Sequence, residues 1–315
     1  MESMPQLRPM SIGDMLDAAF RLYRRHFLTF IGIVALLQVP MAMLQFLIQY
    51  AYGNTALTSW VNFISRLPAS RPGTNPFDSF PLGDLVTVAA TSLVLGAIQF
   101  LLIRNLITGA LANAISRSYT GQPISILGAY SIVPRRFLSL IGAALSAVLF
   151  GCSFGSMAAL FAGSNRASGA LAAILVILVM FGLFALLGLA ALFFYTRLLV
   201  TTQAIVLEDR GPLAGLARSW RLVAGSFWRT LGILVLMGIL SYIIAAFPAT
   251  VVSFALTIGS GNALDNLVRN QVITTLLAQL GQIVVLPLQL AIYTLLYYDL
   301  RIRKEGYDLE LRIER

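Results

Sequence analysis

Two arginines and two rows of glutamines are the residues of this 315-residue chain whose types and positions could do chemistry. Arg104 and Arg197 interrupt otherwise apolar stretches. A guanidinium forms paired hydrogen bonds to phosphate oxygens, so either arginine could grip the phosphate of a lipid headgroup. The competing reading is snorkelling, with the apolar stem in lipid and the charge at its boundary. Arg104 lies 20 residues beyond Asp84, about 30 Å at helical rise, which puts it near the cytoplasmic boundary on either reading. Arg21, Arg24, Arg25, Arg218 and Arg221 flank apolar runs and join the candidate lipid or phosphate contacts.

Gln38, Gln45 and Gln49 fall at i, i+7 and i+11, on one helical face. Gln282, Gln289 and Tyr293 repeat that spacing, with Gln279 nearby. Polar groups inside lipid are costly and mark sites by default. These two stripes could line a hydrated path, or they could hold helices together through interhelical hydrogen bonds.

Catalytic arrangements are not in view. His26 is the only histidine, and it sits between Arg25 and Phe27 as a polar-face residue. Metal-assisted phosphodiester hydrolysis needs clustered carboxylates and histidines. Cys152 is alone, so neither an intrachain disulfide nor a cysteine metal site can form. There is no Walker loop, no G-x-S-x-G elbow and no acidic pair within a span. The expectation is a chain without enzymatic activity, cofactor or metal.

The elements that must position these side chains are membrane helices. Hydrophobic residues make up 58% of the chain and charged residues 11%, with a mean hydropathy of +0.83. Six uncharged stretches are long enough to span a hydrocarbon core: 27–51, 85–103, 137–162, 167–196, 230–258 and 270–298. Backbone groups in lipid must pair within their own segment, which makes the spans helical. The first run is too long for a signal-peptide core and lacks a small-residue cleavage site, so it is expected to be retained. Arg66, Arg71, Arg166 and Arg269 lie on one side of this layout, and every other basic residue lies on the opposite side. Basic residues stay cytoplasmic during insertion, so both termini are expected in the cytoplasm. The net charge of +9 borders spans and is interrupted by Asp14, Asp17, Glu208, Asp209 and Glu305, which favours topology and anionic lipid over nucleic acid.

A pattern recurs at Phe20/Phe27/Gly32, Tyr130/Phe137/Gly142 and Trp220/Phe227/Gly232. It divides the chain into three two-span units, about 13–121, 123–211 and 213–306, each preceded by an amphipathic interfacial helix. The expected fold is therefore all-α: one integral membrane domain over 1–315, a six-helix polytopic bundle. In the first unit Ser11 and Asp14 make a capping-box-like start, and Leu16, Phe20, Tyr23 and Phe27 share one face. In the third, Pro212 suits a first helical turn, and Leu213, Leu216, Trp220, Val223 and Phe227 form the stripe. The middle copy is interrupted by Gly128 and Pro134 and reads as a broken helix. Pro40, Pro248 and Pro287 are expected to bend their spans, and Gly151 and Gly155 allow close packing. Residues 52–83, with Pro68, Pro72, Pro76 and Pro81, read as an irregular external loop. Residues 299–315 read as a cytoplasmic tail that continues the last helix as a solvated end, capped at Gly306.

Residues 7–27 (LRPMSIGDMLDAAFRLYRRHF), 211–228 (GPLAGLARSWRLVAGSFW) and 296–309 (LYYDLRIRKEGYDL) resemble the bacterial family called the glycerophosphoryl diester phosphodiesterase membrane domain. The resemblance implies a multi-pass protein of the bacterial cytoplasmic membrane. It does not carry over hydrolase activity, because the catalytic barrel and its two histidines are missing here. The leading functional expectation is a non-enzymatic membrane protein that binds lipid, anionic phospholipid included, or a partner protein through its cytoplasmic amphipathic and basic edge. A solute transporter or channel with a glutamine-lined path is the alternative, and an intramembrane lipid enzyme stands third.

Overall fold

The computed structural model describes residues 9–48, 50–51, 54–66, 81–119, 122–131, 182, 185–186, 188–258 and 263–306. Among these residues every regular element is helical and none is a strand. Five stretches among them are long and apolar enough to cross a membrane: Phe27–Ile48, Val86–Ser118, Gly188–Leu207, Phe227–Leu256 and Val272–Glu305. The chain is an all-α membrane protein. The third expected span, with Phe137, Gly142, Cys152 and the Gly151/Gly155 pair, lies outside the described residues, as does most of the fourth.

Helix α1 (Ile12–Arg25) starts where the capping box predicts. The Ser11 amide donates to Asp14 Oδ2 and the Asp14 amide to Ser11 Oγ, both at 3.1 Å. Its buried stripe is Met15, Ala19 and Tyr23, whereas Phe20 and Phe27 are exposed. The third copy, in the helix Pro212–Val223, buries Gly215, Ser219 and Val223 and exposes Trp220. In the middle copy the five-residue helix Ile126–Tyr130 runs through Gly128 and buries Ala129, and Pro134 lies outside the described residues. A small buried residue thus precedes the aromatic in all three copies: Ala19, Ala129 and Ser219.

The remaining elements follow in order. They are α2 (Phe27–Ile48), α3 (Asn54–Arg66), α4 (Leu82–Ala97), a π-helical segment Ile98–Ile103, α5 (Arg104–Tyr119) and α6 (Ile126–Tyr130). After residues 188–197, which are helical, come α7 (Thr201–Leu207), α8 (Pro212–Val223), α9 (Phe227–Ser241), a second π segment Tyr242–Ala246, α10 (Phe247–Ile258) and α11 (Ala263–Glu305). Helix α11, with 43 residues, is about 65 Å long, twice the thickness of a hydrocarbon core. It ends at Gly306, whose φ of 63° is the left-handed C-terminal cap expected there.

The chain divides into two compact bodies. One comprises Met1–Leu22, Thr108–Val235 and Leu290–Arg315, and the other comprises Tyr23–Ile107 and Leu236–Gln289. In the second body, residues 54–66 correct the expectation of an irregular loop over 52–83. All four prolines of that stretch lie beyond Arg66, so no helix breaker interrupts 54–66. Ser59 Oγ ties α3 to Asp84 of α4 at 2.5 Å. The wide turn Tyr242–Ala246 comes just before Pro248, whose ring would meet the carbonyl of Ile244 in a regular α-helix. In the other wide turn, Asn105 Nδ2 donates to the carbonyls of Phe100 and Leu101, both at 3.0 Å.

Close backbone contact fixes α11 against the second π segment. A Cβ at Gly281 would stand 2.4 Å from Ala245 Cα. Gly281→Ala is therefore expected to cost about 1–3 kcal/mol by overpacking. The check is thermal unfolding of the detergent-solubilised protein, with Gly238→Ala, which meets nothing within 4 Å, as the unchanged control.

Candidate functional site

The polar side chains of the first body gather where α7 turns into α8. Asp209 adopts φ 58°, a left-handed conformation that aspartate tolerates, and the chain reverses there. Pro212 then occupies the first turn of α8, as its sequence position predicts. The two helices lie close together, since a Cβ at Gly215 would come within 2.5 Å of Ile205 Cγ1.

The reversal carries Glu208, whose side chain is only 9% exposed. Arg218 of α8 donates to it through Nε and Nη2 at 2.8–2.9 Å, and Arg210 Nε donates at 2.6 Å. Helix α11 supplies the rest. Tyr297, Arg301 and Glu305 fall at i, i+4 and i+8: the Tyr297 hydroxyl donates to Glu208, Arg301 lies 3.6 Å from it, and Glu305 pairs with Arg218. Burial alone would raise the Glu208 pKa, but hydrogen bonds from Arg218, Tyr297 and Arg210, with the charge of Arg218, outweigh it and hold the carboxyl at about 2. The Arg218 guanidinium is correspondingly held above its usual range, first by its hydrogen bonds to Glu305.

Asp299, fully buried, forms the second carboxylate centre. It accepts from the Met10 amide at 2.8 Å and from Arg303 Nε at 3.0 Å, and Arg229 Nη2 lies 3.0 Å away. The Met10 carbonyl accepts in turn from Arg229 at 2.6 Å and Arg303 at 2.9 Å. The first residues of the tail are thus packed, which corrects the expectation of a solvated helix end: a carboxylate ringed by donors is stable where an unpaired one is not. Residues 307–315 lie outside the described residues.

Three hydrogen bonds join helix ends to neighbouring elements in this body. Asn113 of α5 donates to the Ala129 carbonyl of α6, Ser219 of α8 donates to the Arg197 carbonyl, and Asp299 of α11 receives the chain entering α1.

The predicted phosphate contacts separate into groups. Arg218 is removed from that set, because both of its edges are occupied by carboxylates. Arg21, Arg24, Arg25 and Arg221 are exposed on α1 and α8, and Arg104 is exposed at the start of α5. Arg197 lies against three rings, 4.9 Å from Trp220, 5.3 Å from Phe193 and 5.9 Å from Phe227. Its Nε and Nη1 are buried and have no acceptor among the described residues.

The glutamines belong to the second body. Gln99 Nε2 donates to Gln38 Oε1 at 3.1 Å, Gln38 Nε2 to Gln279 Oε1 at 2.5 Å, and Gln279 Nε2 to Gln45 Oε1 at 2.8 Å. Three hydrogen bonds thus link four amides from three stretches of chain, and Gln99 Oε1 is buried without a partner among the described residues. Gln99, in the π segment, had no stripe to announce it. Of the other residues expected on the glutamine-lined path, Gln282 is exposed, Gln289 belongs to the second body and Tyr293 to the first, and Gln49 lies outside the described residues. Among the described residues, no three His, Cys, Asp or Glu side chains come together as a metal site.

The family model described as "Domain of unknown function (DUF7847)" matches residues 10–300. The chain belongs to this family. No curated protein and no solved structure matches it. The match spans Met10, Glu208, Arg218, Asp299 and the glutamine amides but stops short of Arg301, Arg303 and Glu305, and the DUF7847 description carries no activity with it.

The pKa of Glu208 gives a pH test. Its folded value lies below the ordinary 4.5, so its stabilising contribution is full above 4.5 and is lost as pH falls through about 2. The melting temperature of the solubilised protein is expected to fall across that window. Glu208→Gln should lower it already at neutral pH, through a stability loss on the order of 2 kcal/mol in this partly exposed network, and should remove that share of the acid slope.

Proposed function

We propose that this DUF7847 protein is a non-enzymatic, multi-pass membrane protein that binds anionic phospholipid through the cationic faces of its amphipathic helices. One observation carries the reading. Helices α1 and α8 each bury small or apolar side chains on one face and expose an aromatic beside arginines on the other: Phe20 with Arg21, Arg24 and Arg25, and Trp220 with Arg221. Such a helix lies in the interface, rings toward the acyl boundary and guanidinium groups toward phosphates. On this account the arginine-rich side is cytoplasmic, facing the anionic leaflet of a bacterial cytoplasmic membrane, with both termini inside. The three-unit layout, supported by the shared burial of Ala19, Ala129 and Ser219, belongs to the same proposal. So does the resemblance to a phosphodiesterase membrane domain without its barrel.

The glutamine amides support helix packing rather than a solute path, since their donors point at one another. Transport is therefore not advanced.

Phosphatidylglycerol added to the full-length protein in neutral detergent should raise its melting temperature by several degrees more than phosphatidylcholine does. Replacing Arg21, Arg24 and Arg25 together by Gln should remove most of that difference, each arginine contributing about 1 kcal/mol near an anionic surface. Raised salt should weaken the effect. Equal stabilisation by both lipids would overturn the reading.

A further inference from the structure

Resting on the lipid reading, the geometry points to a discrete phosphodiester site at Arg197, where one phospholipid headgroup phosphate is held by a guanidinium caged in aromatic rings. The cage is built by local register. Ser219 Oγ donates to the Arg197 carbonyl at 2.8 Å, fixing α8 against the end of the preceding span, and the next residue, Trp220, brings its indole to 4.9 Å from the guanidinium carbon. Phe193, one turn before Arg197, and Phe227, at the start of α9, complete the enclosure. The rings hold one another: Phe193 stands 6.0 Å from Trp220 and 5.2 Å from Phe227.

Rings satisfy the π-face of a guanidinium but accept none of its in-plane hydrogen bonds. Nε and Nη1 of Arg197 are buried without an acceptor, in contrast to Arg218, whose donors meet two carboxylates. Buried charged donors of this kind are stable when an external acceptor completes them. An anionic acceptor also balances the buried charge, and phosphate oxygens accept readily from a guanidinium. A second cation stands close by. Lys304 Nζ donates to the carbonyls of Arg221 and Ala224, so the negative end of α8, three residues beyond Trp220, is occupied by an ammonium rather than bare. Trp220 is partly exposed, which places the cage at the body's surface rather than in its core.

The arrangement differs from the diffuse attraction of Arg21, Arg24 and Arg25. Those groups respond to surface charge. The caged arginine contacts the phosphodiester itself and so takes zwitterionic as well as anionic phospholipid, with the anionic preference supplied by the exposed arginines.

Native mass spectrometry of the full-length protein, titrated with phosphatidylglycerol, phosphatidylcholine or inorganic phosphate, tests this. Arg197→Met keeps the apolar stem between the rings and removes the donors. It should weaken the first-bound molecule of either phospholipid about 10- to 100-fold, while the Arg21/Arg24/Arg25→Gln variant weakens only phosphatidylglycerol. Arg197→Lys, which keeps the charge but loses the planar fork, should be weakened to an intermediate degree and serves if the methionine variant does not fold. Unchanged first-lipid affinity in both Arg197 variants would overturn the site while leaving the broader lipid reading intact. Loss of an inorganic phosphate adduct alone would also overturn it, assigning the cage to free phosphate. A wild-type protein that retains no phospholipid would overturn both.

Discussion

Two carboxylates held away from water by guanidinium groups are the constraint on which the first body depends. Glu208 sits in the turn after α7 and Asp299 on α11, and each gathers partners distant in sequence: Tyr297 lies 89 residues from Glu208, and Met10 lies 289 residues from Asp299. A charge removed from water this far must be paired and hydrogen-bonded. The consequence is positional. The turn after α7, the entry to α1, the start of α9 and the end of α11 are brought together because each supplies a donor or an acceptor that the others need.

That pairing divides the arginines by role. Arg210, Arg218, Arg229, Arg301 and Arg303 face carboxylates and hold the fold. Arg21, Arg24 and Arg221 project from α1 and α8 without ion pairs among the described residues. Arg197 belongs to neither group, because its neighbours are rings. In the second body amides replace charges: the Gln99–Gln38–Gln279–Gln45 series joins α2, the first π segment and α11, and Gly281 lets α11 approach Ala245. Interhelical amide bonds and small residues do in lipid what apolar burial does in water, where lipid tails offer helices no hydrophobic drive to associate.

Local chemistry was legible in the sequence. The Ser11/Asp14 cap, the Pro212 start and the Gly306 stop all depend on residues within a turn of one another, so spacing alone locates them. The partners across the fold were not. Nothing in the sequence separates Arg218, closed by two carboxylates, from Arg221 three residues later, because the difference is which helix each side chain meets. Spacing puts Phe20, Tyr23 and Phe27 on one face of α1 but does not tell which of them meets protein: Tyr23 is buried with Met15 and Ala19, whereas Phe20 and Phe27 are exposed. Gln99 escaped notice because it stands alone in its span, and α3 because the prolines that follow it coloured the reading of the whole loop.

The division of the arginines is the central claim, and it is tested most directly by lipid-free thermal unfolding of Arg218→Gln and Arg221→Gln compared side by side. The account predicts a marked loss of stability for Arg218→Gln, which strands Glu208 and Glu305, and an unchanged melting temperature for Arg221→Gln. Equal losses, or a larger loss at Arg221, would contradict it.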